Sequence, residues 1–213
     1  SDRLVRDIES ARYHINILFF KFEDDQVGNK IADALIRKSK EGVQVRLIYD
    51  EAGNMMVPRR FYRRLRKHGI QVRGFIRIFL PILSRDYNSR NHRKVVVIDG
   101  RVGYMGGMNI AQRYAEGLKW GIWRDTHMRI TGPAVSELQT SFLTDWKFTK
   151  GDEPDLAPMY PYNPPCGNTL MQIVTGGPMD KWNVMMQAYM TAIASARHHA
   201  YLQSPYFIPP EPI

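Results

Sequence analysis

A chain of 213 residues with 44% hydrophobic and 24% charged side chains has room for one domain and part of a second, and enough apolar content for a core, which excludes a wholly disordered polypeptide. Thirty Lys and Arg against twenty-one Asp and Glu leave a formal charge of +9, so an anionic partner is expected: nucleic acid, an acidic membrane surface or a phosphorylated ligand. One cysteine, Cys166, excludes an intrachain disulfide framework and a Cys-rich zinc site, and no apolar run approaches the ~18 residues of a membrane span. The polar start at Ser1-Asp2-Arg3 lacks a signal-peptide pattern, and a beginning at Ser rather than Met is expected of a processed or excised piece.

In chain order, Tyr13 to Phe20 is aromatic and β-branched and predicts a buried strand. Val27, Ile31, Ala34 and Leu35 follow at helical spacing, with Gly42 at the exit. Val43 to Tyr49 predicts a second strand, Pro58 to His68 a second helix and Ile70 to Ile76 a third strand. The helix exits Lys40-Glu41-Gly42-Val43-Gln44-Val45-Arg46 and Lys67-His68-Gly69-Ile70-Gln71-Val72-Arg73 echo each other, which is the grammar of βαβ units. Residues 77–91 predict a polar, Arg-bearing loop. Val95 to Ile98 and Val102 to Met105 predict a hairpin turned at Asp99-Gly100. Residues 116–124 predict a surface loop, Asp125 to Ile130 a strand and Pro133 to Phe148 a helix. The expected fold is α/β, with a mixed, mostly parallel sheet flanked by helices.

Three segments are expected: a first domain over 1–150, a Pro-rich linker over 151–168 and a truncated second repeat over 169–213. The repeat rests on Ile8-Glu9-Ser10-Ala11-Arg12-Tyr13-His14 and Ile193-Ala194-Ser195-Ala196-Arg197-His198-His199, which agree at five of seven positions, 185 residues apart. Chance similarity of two helix ends competes with internal duplication, which the preceding linker favours.

The chemistry concentrates at Asn91-His92-Arg93-Lys94. Residues two apart on a strand share a face, so His92 and Lys94 project together beside a basic loop. An imidazole next to an ammonium suits a phosphate ester, the Lys as a fixed charge on the oxygens and the His as nucleophile or proton carrier. Asp99 lies seven positions from His92, an odd separation that puts it on the opposite face. It is expected to bond turn amides or a neighbouring base and not to orient His92. Gly106-Gly107-Met108-Asn109 permits close backbone approach and offers an amide donor.

His92-x-Lys94-x4-Asp99 followed by Gly106-Gly107-x-Asn109 resembles the HKD motif of the phospholipase D superfamily. The flanks resemble bacterial cardiolipin synthases: Trp123-Arg124-Asp125-Thr126-His127, Gly132-Pro133-Ala134-Val135 and Gln203-Ser204-Pro205-Tyr206-Phe207-Ile208-Pro209. The resemblance implies a phosphatidyltransferase that joins two phosphatidylglycerols into cardiolipin and glycerol through a phosphohistidine. It implies His92 as nucleophile or acid/base counterpart, Lys94 and Asn109 on the phosphoryl oxygens, and Asp125, thirty-three residues after His92, as the carboxylate holding the His ring. Asp99, Gly106 and Gly107 are then structural, and no metal or other cofactor is implied. The implied partners are anionic phospholipid and the bacterial cytoplasmic membrane, reached peripherally or through anchoring segments absent here. A second HKD half is also implied, in the same longer chain or in a dimer. The 185-residue offset puts its His near 277, beyond Ile213.

Two other readings compete: a phospholipase D-type nuclease acting as a homodimer on nucleic acid, and a non-catalytic module binding anionic phosphate. Elsewhere, the six cations between Arg59 and Lys67 read first as a solvated helix face and second as a face for anionic headgroups. Arg77, Arg85, Arg90 and Arg93 surround the motif. His14 reads as structural, His68 as a helix-end cation, His127 as a support on the face of Asp125, and His198 and His199 as helix-end residues. Met185, Met186 and Met190 read as packing residues.

Overall fold

A computed structural model describes residues 2–75, 90–117, 121, 123–177 and 183–202. It divides into a compact unit over Ser1–Met171 and a second over Gln172–Ile213. The loop expected around Arg77 and Arg85 and the stretch Gln203 to Pro209 lie outside the described residues.

The first unit runs α1 (Asp2–Glu9), β1 (His14–Phe19), α2 (Gln26–Lys40), β2 (Gln44–Asp50), α3 (Arg59–Lys67), β3 (Gln71–Phe75), β4 (Val95–Ile98), β5 (Val102–Gly106), α4 (Gln112–Glu116), β6 (His127–Thr131) and α5 (Val135–Phe148). The sheet order is β3-β2-β1-β4-β5-β6. β1 pairs parallel to β2, and β2 to β3, through the two echoing helix exits. The pairings β1–β4, β4–β5 and β5–β6 are antiparallel. The sheet is therefore mixed as expected, but its parallel part is confined to β1–β3: β4 enters antiparallel to β1, and the Asp99-Gly100 hairpin reverses the chain again into β5.

The two faces of the sheet are built differently. Ile15, Ile17 and Phe19 join Val45, Leu47, Val96 and Ile98 in one core with Ile8 of α1, Leu35 of α2 and Phe61 and Leu65 of α3. Leu18, Ile48 and Phe75 face Phe142 and Trp146 of α5 in a smaller one. That second face also buries polar groups: His14, whose Nε2 lies 3.3 Å from Gln139 Oε1, and the cross-strand pair Asn16 and Arg46. Burial lowers the His14 pKa, with Asp99 opposing it.

The motif aspartate closes the sheet onto the first helix. The hairpin holds Asp99 at φ 51 and Gly100 at φ 62, the left-handed pair of a tight turn. The Asp99 carboxylate accepts from the amides of Arg12 at 2.7 Å, Tyr13 at 2.8 Å and His14 at 2.9 Å. Its partners are thus the amides that open β1, neither its own turn nor a base.

Other differences from the sequence are local. β6 begins two residues later than expected, because the Asp125 carboxylate turns back onto the Thr126 amide at 2.8 Å. The five-residue α4 was unexpected; it is too short to show a helical period. Residues 151–166, expected to belong to a linker, lie on the first unit. Met159 is buried, Trp146 Nε1 donates to Asp152 O at 3.1 Å, and Asn163 Nδ2 donates to Gly100 O at 2.7 Å. The prolines stop secondary structure there without freeing the chain. In the second unit α6 (Val184–Ser195) ends on the repeated Ile-x-Ser-Ala-Arg stretch. No described helix is long and apolar enough to cross a membrane.

Removing the Asp99 carboxylate strands three backbone donors, at about 2 kcal/mol in total for a charge-assisted cluster. Asp99→Ala should therefore lower the melting temperature by about 4–8 °C, and Asp99→Asn, which tolerates the positive φ, by less. Calorimetry measures both.

Candidate active site

The site forms where five strand ends meet. Because β4 is antiparallel to β1, the residues before β4 stand beside those after β1 and β2, and the end of β5 meets the start of β6. This is the carboxyl edge of the parallel strands, where open α/β sheets present their crevices. It gathers Phe20, Asp50, His92, Lys94, Gly106, Gly107 and Asp125.

Asp50, the last residue of β2, is 3% exposed. Its carboxylate accepts from Asn91 N at 3.1 Å and Gly53 N at 2.8 Å, and burial raises its pKa against those bonds and the Arg90 charge. Asn91 Oδ1 in turn accepts from Arg93 N at 3.0 Å. The segment before β4 is thereby fixed without ladder bonds, and its side chains alternate. Arg93 reaches Asp145 of α5 at 2.7 Å, while His92 and Lys94 project to the other side, as the two-residue spacing requires.

His92 is exposed at the surface, and its ring rests on Phe20 at 4.7 Å between centroids. Lys94 is 4% exposed. Its ammonium donates to the His92 carbonyl at 2.5 Å and stands 5.4 Å over the Phe20 ring. Burial lowers the Lys94 pKa to about 8, while the Asp125 and Asp50 charges oppose the shift. For His92, partial desolvation of the ring and then the Lys94 charge lower the pKa, and Asp125 pulls it back. The His92 imidazole thus keeps a lone pair available at neutral pH, which a nucleophile needs.

Asp125 enters through the glycine pair. A Cβ on Gly107 would stand 2.6 Å from the Asp125 Cγ, and one on Gly106 2.6 Å from the His127 Cα. Neither space exists for a side chain. The pair is a spatial requirement of the β5–β6 junction, where Gly107 N donates to Thr126 O at 2.9 Å. Asp125 stands close enough to act on the charges of His92, Lys94 and His127, and no described hydrogen bond joins it to the His92 ring. His127 sits on β6 against Gly106; burial brings its pKa to about 4, with Asp125 opposing and Lys94 reinforcing the shift.

Asn109 lies one loop further on. Its Oδ1 accepts from Lys21 N at 3.0 Å and its Nδ2 donates to Tyr114 Oη at 2.8 Å. One amide hydrogen remains for a ligand. Asp99, at the far end of β4, lies away from this group. Nothing in the residue pattern marks Phe20, Asp50 or Tyr114 as site supports. Phe20 reads as an ordinary strand end, Asp50 lies just past the strand expected to end at Tyr49, and Tyr114 stands in the short helix that periodicity missed.

The family model described as "Cardiolipin synthase, PLD-like domain" matches residues 4–146, a span that contains every residue of this constellation. The chain belongs to that family. A cardiolipin synthase of Listeria monocytogenes is 41% identical over 98% of this PLD-like chain and 44% of its own length. The major cardiolipin synthase ClsA of Bacillus subtilis is 42% identical over 97% and 44%. The chain thus spans less than half the length of these curated relatives. Among solved structures, NucT from Helicobacter pylori aligns with TM-score 0.54 and 19% identity, covering 70% of this chain and 87% of that one. A phosphatidylserine synthase from Haemophilus influenzae aligns with TM-score 0.53 and 18% identity, covering 68% and 34%. These likenesses establish the PLD fold.

The electrostatics of this PLD-like site can be read directly. Lys94→Met removes a cation and should raise the His92 pKa; Asp125→Asn removes an anion and should lower it. Gly107→Ala, by displacing the carboxylate, should act in the direction of Asp125→Asn. An NMR titration of the His92 ring proton measures all three, and shifts of the same sign for Lys94→Met and Asp125→Asn would contradict the arrangement.

Proposed function

We propose that this PLD-like domain supplies one half of a phosphatidyltransferase that makes cardiolipin from two phosphatidylglycerols. A ring nitrogen of His92 attacks phosphorus, the phosphorus–oxygen bond to the headgroup glycerol breaks, and that glycerol leaves with a proton from a second HKD histidine. A hydroxyl of the second phosphatidylglycerol then attacks the phosphohistidine and returns its proton to that histidine, giving cardiolipin and free His92. The second HKD half comes from the same longer chain or from a dimer partner, and the acceptor lipid is drawn from the bacterial cytoplasmic membrane.

The observation that carries the reading is the pairing of an accessible, lone-pair-bearing His92 with a buried Lys94 ammonium two residues on. The ammonium is placed to neutralise charge that grows on the phosphoryl oxygens, with the free Asn109 amide hydrogen as a second donor. Asp125 holds the phosphohistidine-forming ring by charge, or by a hydrogen bond that tightens when substrate arrives.

Conversion of phosphatidylglycerol to cardiolipin by the full-length protein should fall at least about a thousandfold in His92→Ala, and plasmid DNA should remain uncut by wild type. DNA nicking that vanishes in His92→Ala, with no lipid product, would overturn the assignment. A pH profile gives a separate check. Lys94 loses its proton as pH rises through about 8, so kcat/KM should decline above that pH, and Lys94→Arg, which stays charged, should move the decline upward.

A further inference from the structure

The turn after β2 and the helix that follows it form a surface the catalytic account does not use. α3 carries Arg59, Arg60, Arg63, Arg64, Arg66 and Lys67 and no acid, and buries Phe61, Tyr62 and Leu65. Arg64 is taken by Asp33 and Asn29, and Arg66 donates to Val72 O at 3.2 Å. Arg59, Arg60, Arg63 and Lys67 are exposed, and among the described residues none has an ion pair with a carboxylate. Arg59, Arg63 and Lys67 recur every four residues, a spacing at which like charges repel and weaken the helix. An anionic surface laid against them would remove that penalty.

Immediately before the helix, Met55 is 65% and Met56 93% exposed. Their turn is well held. Asn54 Nδ2 donates to Phe20 O and Asp50 O, each at 2.7 Å, and Asn54 Oδ1 accepts from Phe22 N at 2.8 Å. Two large apolar side chains are thus presented to water by a bonded turn. The same supports carry the site: Phe20 seats the His92 ring, and Asp50 fixes the Asn91 amide beside it. The methionines and His92 therefore belong to one edge of the sheet.

We propose that the Met55–Met56 turn and the cationic face of α3 dock this edge onto an anionic lipid bilayer. The methionines enter the boundary between headgroups and acyl chains, and Arg59, Arg60, Arg63 and Lys67 lie on the anionic headgroups. This deepens the proposed function and rests on it for the role of the lipid as substrate. A nucleic-acid backbone would use the cations alone and leave the methionines without a purpose.

The test is co-sedimentation of the protein with vesicles of phosphatidylcholine, with and without phosphatidylglycerol, beside a duplex DNA binding arm. Wild type should bind only the phosphatidylglycerol vesicles. The triple variant Arg59→Glu, Arg60→Glu, Arg63→Glu should lose about a hundredfold or more in partitioning, and Met55→Ser with Met56→Ser about tenfold. The triple Lys replacement should bind as wild type, with matching thermal melts for all variants. Vesicle binding that survives both sets overturns the proposal. So does loss confined to the charge reversals; DNA binding lost in the same variant would then assign the cations to nucleic acid. Conversion of detergent-dispersed phosphatidylglycerol needs no docking and should persist in both sets. Absent conversion with intact, Met-dependent vesicle binding would therefore fault the proposed function alone.

Discussion

A lysine ammonium that is nearly closed off from water is the constraint around which the rest of this structure is arranged. Lys94 gives up hydration at the edge of an apolar sheet and recovers it only in part, from the His92 carbonyl, the Phe20 ring face and the fields of Asp125 and Asp50. Its depressed pKa measures that shortfall. A cation so placed favours an anion beside it. Under the proposed function, a phosphodiester would bring a counter-charge to Lys94 and a phosphorus within reach of the His92 lone pair.

The topology makes this placement possible. The chain enters β4 antiparallel to β1, so residues 91–94 land beside Phe20 and Asp50 instead of at the opposite edge. The hairpin that reverses the chain also supplies the carboxylate that anchors the start of β1. The geometry of these strand ends thus depends on an aspartate remote from His92 and Lys94, and the glycine pair leaves at the β5–β6 junction the space that Asp125 occupies.

Much of this was legible in the residues. The spacing of His92 and Lys94 placed them on one side, and the odd offset of Asp99 placed it elsewhere. What Asp99 bonds was not legible, because its partners Arg12, Tyr13 and His14 lie more than eighty residues away and no local pattern joins them. Asp125 was reached through resemblance; its contact with Gly107 follows only from the fold. Phe20, Asp50 and Tyr114 carry no signal of their own, since each acts by position. The stretch 151–166 was misread because proline reports the absence of regular structure and says nothing about packing, which Met159 and Asn163 provide. The parallel share of the sheet was overestimated because the βαβ rhythm of the first three strands does not extend to β4, which enters antiparallel to β1.

The most direct measurement is the Lys94 pKa, followed by NMR of the labelled ammonium with and without inorganic phosphate. Titration near 8 is expected in the free protein, with a clear rise when phosphate binds. Titration near the ordinary lysine value of about 10.4, unmoved by phosphate, would show that the ammonium is neither desolvated nor waiting for a phosphoryl group, and the central claim would fall.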